Sequence, residues 1–148
     1  MSLQKWINEG RLQQHTTSKE EIRNLFKLVE RDLKDARIKQ LSTDRRFATA
    51  YNAALQLATI VLLAAGYRVK AISGHHWVTI ISLPEIMGKS QKGRADYLNA
   101  CRAKRNVTDY DRVGEISEAE LKELLKEVAS FKQEVMDWLN QYHPSFMS

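Results

Sequence analysis

The stretch Phe47-Ala48-Thr49-Ala50-Tyr51-Asn52-Ala53-Ala54-Leu55-Gln56-Leu57-Ala58-Thr59-Ile60-Val61-Leu62-Leu63-Ala64-Ala65 decides the fold. Its polar residues Thr49, Asn52, Gln56 and Thr59 recur at intervals of three, four and three, and nearly everything between them is apolar. That spacing gathers them on one narrow stripe of a helix. A helix that is apolar on all its other sides must be surrounded, so the pattern predicts the central helix of a bundle. Ser42 supplies an N-cap and Gly66 a C-terminal stop. The polar interruptions argue against a membrane span. Two readings of the stripe stay open: its side chains satisfy one another or water, or they line a site facing Arg105.

Working outward, the flanking segments are helical too. A short helix at 3–9 ends at Gly10. Ser18-Lys19-Glu20-Glu21 reads as a capping box, and Ile22, Leu25, Phe26, Val29, Leu33 and Ala36 then keep helical spacing to about Ile38. A segment at 75–87 follows Gly74, and Pro84 must kink or split it. A helix at 92–105 comes next, with 107–114 as a polar connection. Ser117-Glu118-Ala119-Glu120 is a second capping box, opening a helix that runs to Tyr142 and stops before Pro144. The expectation is an all-α, four- to five-helix up-and-down bundle in one domain, 1–148, with its core at about 18–142. No β-alternation is convincing, and six glycines and two prolines are few for a many-stranded protein.

Composition narrows the class. With 43% hydrophobic and 28% charged residues the chain reads as a globular domain. A single cysteine, Cys101, excludes an intramolecular disulfide and fits a reducing compartment. A polar start without a long apolar core gives no sign of a signal peptide. Cytoplasmic localisation without membrane association is the expectation.

The net charge of +5 is concentrated. Lys89, Lys92, Arg94, Arg102, Lys104 and Arg105 face one acid, Asp96, a local excess equal to that of the whole chain. A run of this kind is ordinarily a solvated helix face. Here, however, Arg94 and Arg105 share the inward stripe of Tyr97, Leu98 and Cys101, with Arg102 at its edge. A cation on an apolar stripe requires a partner: a carboxylate, a symmetry mate or a phosphate.

Most catalytic signatures are missing. The sequence holds no phosphate-binding glycine loop and no paired CxxC. His75 and His76 are adjacent, so on a helix they diverge by about 100° and do not chelate one ion as an i, i+4 pair does. No metal site and no cofactor is expected.

Several local features, in order, resemble the HEPN family (higher eukaryotes and prokaryotes nucleotide-binding domains). They are Trp6 and Gly10-Arg11-Leu12, then Arg31-Asp32-Leu33-Lys34-Asp35-Ala36, then Arg46 to Ala54, then Gly74-His75-His76, and finally Arg105-Asn106 ahead of a tyrosine. The resemblance covers about 6–131 and implies a small helical bundle, often encoded beside a minimal nucleotidyltransferase. Its ribonuclease members carry an arginine, a polar residue and a downstream histidine, and two protomers join these motifs across a dimer seam. The histidine and arginine there promote attack of the RNA 2′-hydroxyl on the adjacent phosphate without metal. Arg105 matches the arginine and Asn106 the polar residue, but the histidine position holds Tyr110, between Asp109 and Asp111.

Tyrosine, with a pKa of ~10, is a poor proton shuttle near neutrality, whereas histidine at ~6.5 is well placed. The expectation is therefore a non-catalytic HEPN-like homodimer that binds a nucleotide, RNA or a nucleotidyltransferase partner. Arg94, Arg102, Lys104, Arg105, Asn106 and Tyr110 would form its basic face. Two alternatives stand beside it. One is a metal-independent endoribonuclease of a toxin–antitoxin pair, using Arg105, Asn106 and Tyr110 with His75 or His76. The other is a structural subunit of a small complex. A plain structural reading of the motif also stands, with Arg105 pairing with Asp109, Asn106 ending the helix and Tyr110 packing from a loop.

Overall fold

A computed structural model describes residues 2–71, 74–110 and 115–147, with the side chains of α6 described as far as Asn106. The chain is mostly helical. Its α-helices are α1 (Leu3–Asn8), α2 (Lys19–Asp35), α3 (Thr43–Ala64), α4 (His75–Ile81), α5 (Leu83–Met87), α6 (Lys92–Tyr110) and α7 (Glu118–Tyr142). Two short strands, β1 (Leu12–Gln14) and β2 (Tyr67–Val69), pair antiparallel with Leu12 opposite Val69. Three-residue 3-10 turns precede α6 and follow α7.

α3 is the central helix, as its sequence predicts. Ala50, Tyr51, Ala53, Ala54, Leu57, Ala58, Ile60 and Val61 are fully buried along it. It packs against α2, α7, α6 and α4. It is also long and apolar enough to cross a membrane, yet most of its surface is buried in this fold. α2 presents Ile22, Val29 and Leu33 to the core, and α7 presents Leu121, Leu124, Val128, Phe131, Val135 and Leu139. Truncating one such side chain, Leu57→Ala for instance, costs about 2–5 kcal/mol through lost transfer energy and the cavity left behind. A second, smaller cluster of Trp6, Leu12, Leu62 and Val78 lies under the ribbon.

The two capping boxes part company. At α7 the box is complete, with Ser117 and Glu120 each accepting from the other's backbone N–H at 3.1 Å. At α2 Ser18 accepts from the Glu21 N–H, but the Glu21 carboxylate takes Thr17 Oγ1 at 2.6 Å and His15 Nε2 at 2.8 Å instead. Those hydrogen bonds hold Glu21 below the usual carboxylate range.

Two expectations need correction, and a third is met. β1 and β2 are present although no alternation announces them, because three-residue strands are too short to carry a period. The segment at 75–87 is split, as Pro84 led one to expect, and the break falls at Ser82, placing Pro84 in the first turn of α5, where a missing N–H costs little. α6 continues through Asn106 to Tyr110 rather than ending at Arg105, so Asn106 does not terminate the helix and 107–110 is not a loop. The remainder of the expected connection, 111–114, lies outside the described residues.

Candidate functional site

Of the six residues expected to form one basic face, Arg94 and Lys104 turn to α7. Arg94 is inward, its side chain 10% exposed, and it is met by carboxylates of α7. Its Nε donates to Glu127 at 2.9 Å and an Nη reaches Glu134 at 2.7 Å. Gln91 accepts a further bond at 3.1 Å, and the guanidinium lies 4.9 Å from the Phe131 ring centroid. Burial opposes the charge on Arg94, but the bonds from Glu134 and Glu127 outweigh it and raise its pKa. Of the three partners the sequence allowed, the carboxylate is the one present. Arg94 is thus a clamp between α6 and α7.

Lys104 also turns to α7, where it pairs with Glu120 of the capping box and lowers that carboxylate's pKa. Asn106 is exposed, and the Tyr110 side chain lies outside the described ones, as does that of Asp109.

Arg102 and Arg105 remain, and α3 and α4 bring new neighbours to them. The Arg105 guanidinium lies over the ring of Tyr51, 5.7 Å from its centroid. Tyr51 sits on the buried side of α3 with its ring 6.4 Å from that of His76. His75 and His76 meet edge to face at 4.4 Å. Arg102 donates its Nε to Asn99 Oδ1 at 3.0 Å and stays half-buried beside them. The site is therefore a floor, Tyr51, with imidazoles from α4 on one side and guanidiniums from α6 on the other.

Two residues of the polar stripe of α3 are accounted for within the helix. Thr49 donates to Arg45 O and Thr59 to Leu55 O, both at 2.8 Å, so these hydroxyls are satisfied by their own helix. Tyr51, which the sequence assigns to the core, is the residue of α3 that meets Arg105.

Electrostatics follow from this crowding. Burial first, then His75, Arg105 and Arg102, push the pKa of His76 below the ordinary histidine value, so its imidazole is neutral at pH 7. Burial pushes the Tyr51 phenol up to about 12, against the pull of the two arginines. Its hydroxyl is buried and has no hydrogen-bond partner. Cys101, next to Arg102 in sequence, is pushed up to about 11 by burial, which makes it a poor nucleophile.

Arg11 approaches from the far side. Its guanidinium lies 6.0 Å from the Trp77 ring centroid, and a Cβ on Gly74 would stand 3.3 Å from its Nη1. Gly74 has φ +82°, a left-handed conformation that disfavours any side chain, so the turn into the histidine pair requires glycine. Nothing in the spacing of Arg11 or Tyr51 announces their place here, because both arrive by packing between distant segments.

Among the described residues no three His, Cys, Asp or Glu side chains gather as metal ligands would. What the cluster offers is a set of cationic donors beside a neutral imidazole, suited to holding an oxyanion. Fold and site thus define a mostly helical protein with a cationic cluster between α3, α4 and α6. Comparison with protein-family models, with curated proteins and with solved structures finds no match to this chain.

Proposed function

We propose that this protein is a HEPN-like phosphate-binding module that engages RNA or a nucleotide through Arg102 and Arg105, with His75 and His76 as its second wall. The observation that carries the reading is the meeting of Arg105 and His76 at Tyr51, two residues far apart in sequence that share one aromatic floor. Arg105 contacts the phosphate bidentately, Arg102 adds attraction, and His76 supplies a hydrogen bond. Arg94 and Lys104, engaged with α7, take no part in this reading. Such binding weakens steeply with added salt, because phosphate contacts release counterions. The test is fluorescence anisotropy of labelled RNA with wild type and Arg105→Ala across a salt series. A complex that ignores salt yet is lost in Arg105→Ala would point instead to a packed protein interface, such as a homodimer seam or a nucleotidyltransferase partner.

A second reading, metal-independent RNA cleavage, is favoured by one observation: a neutral imidazole beside a guanidinium, supplied by α4 where the family's motif histidine is replaced by Tyr110. In this reading His76 accepts the 2′-hydroxyl proton and Arg105 stabilises the charge developing on the phosphate. Cleavage in excess chelator that disappears in both Arg105→Ala and His76→Gln supports it. Binding without cleavage leaves the first reading in place.

A further inference from the structure

Away from Arg105, the two longest helices among the described residues run out at one pocket. Ala65, which caps α3, lines it, as do Tyr142 and His143, the last residue and the cap of α7. The pocket measures about 670 Å3. Half of its lining is aromatic, with Trp138, Tyr142 and His143 at the end of α7 and Tyr67 from β2, and aliphatic side chains such as Leu3 and Ile86 supply much of the rest. The Trp138 ring stands 6.3 Å from Tyr142 at 49° and 4.9 Å from His143 at 54°, so the rings meet at angles rather than closing into a stack. Tyr142 is 61% exposed, and Ile38 is the other large apolar side chain exposed among the described residues.

The charge around this pocket is uneven in an informative way. A helix C-terminus carries partial negative charge on its last carbonyls, which a Lys or Arg of the last turn usually answers. Neither α3 nor α7 has a basic residue in its last turn. Among the described residues no Lys, Arg, Asp or Glu lines the pocket at all. In a chain of net charge +5, two helix C-termini and several aromatic rings thus meet where, among the described residues, no Lys or Arg lines the pocket and His143 is the one side chain able to carry positive charge. Aromatic faces attract cations, and weakly hydrated organic ones give up least in leaving water.

We propose that this pocket binds an organic cation of the quaternary-ammonium class. The charge rests between Trp138 and Tyr142, and the methyl groups meet Tyr67 and the Met87 thioether. The site is separate from the arginine–histidine cluster and does not depend on what that cluster binds.

The test titrates choline and its uncharged carbon isostere, dimethylbutanol, into the full-length protein while following the Trp138 indole N–H by NMR. Choline is expected to move that resonance at lower concentration than the alcohol. Tyr142→Ala, at an exposed position whose loss the fold tolerates, is expected to weaken choline roughly fivefold, and Tyr142→Phe, which keeps the π-face, to leave it nearly unchanged. Equal binding of the two probes would overturn the proposal and leave a merely apolar groove. A Trp138 resonance that neither probe moves would overturn it as well.

Discussion

Arg94 and Arg105 occupy one stripe of one helix, about three turns apart, and the described residues around them differ. Around Arg94 the facing helix supplies Glu127 and Glu134, and the charge is spent within the chain. Around Arg105 the neighbours are a buried phenol ring and, from α4, a pair of imidazoles. A guanidinium clamped by two carboxylates contributes to folding, whereas Arg105, with Arg102 near it, adds to the positive potential felt by His76. Helical phase brings both arginines inward, but only the facing element decides which task each performs.

The largest way to break this comparison is at its structural end. Arg94→Ala strands two carboxylates against α6 and should cost about 2–3 kcal/mol, less than a fully buried pair because Glu134 is nearly half exposed. A urea melt reads that loss, and RNA affinity per folded molecule should stay unchanged. If Arg94→Ala abolished binding while the fold held, the division between the two ends would be wrong.

Arg105→Ala is the converse. It should lower RNA affinity per folded molecule about tenfold, the worth of one bidentate contact at ~1.4 kcal/mol, whatever it does to the melting midpoint. The anisotropy titration described above, run beside a thermal melt of the same sample, separates the two effects.

Tyr51→Phe sharpens the picture further. It removes a buried hydroxyl that has no hydrogen-bond partner and keeps the ring beneath Arg105. Stability should rise by up to about 1 kcal/mol, since no bond is broken and a desolvated group is lost. A loss of RNA affinity without loss of stability would instead show that this hydroxyl serves the ligand.

The smallest effect concerns pH. The folded-state pKa of His76 is lowered, so as pH falls below the ordinary histidine value, about 6.5, the unfolded chain takes up the proton first. Stability should therefore decline below that pH and level off once the folded His76 protonates. Equilibrium melts of wild type and His76→Gln should diverge in that window and agree above it. Bound RNA should oppose the trend, because a phosphate favours the imidazolium.

Much of the helical layout is legible in the sequence, for reasons visible in particular residues. Ser42, Ser117 and Glu120 mark helix starts through local hydrogen bonds, and the spacing from Phe47 to Ala65 marks the buried helix. Such signals are short-range and survive in a string of letters. The end of α6 is not legible, since Asn106-Val107-Thr108-Asp109 has turn-like chemistry yet continues the helix. The inward phase of Arg94 is legible too, and the need for a partner with it, but the identity of that partner depends on how α7 lies along α6. Likewise Arg11, Tyr51 and His76 come from three separate segments, and no spacing relates them.

The ribbon of β1 and β2 has a kinetic meaning. It joins Leu12 to Val69, so it closes a long loop that contains all of α2 and α3. A connection of that span is slow to form before the helices it encloses have docked. α4 follows β2 directly, and its Val78 belongs to the small cluster beneath the ribbon. The histidine pair thus rides on a helix that the ribbon holds through Val78 and that α3 and α6 hold from the main core, where Ile80 is buried. Amide exchange in native buffer should find Val69, in the ribbon, opening well before Leu57 and Val128 in the main core.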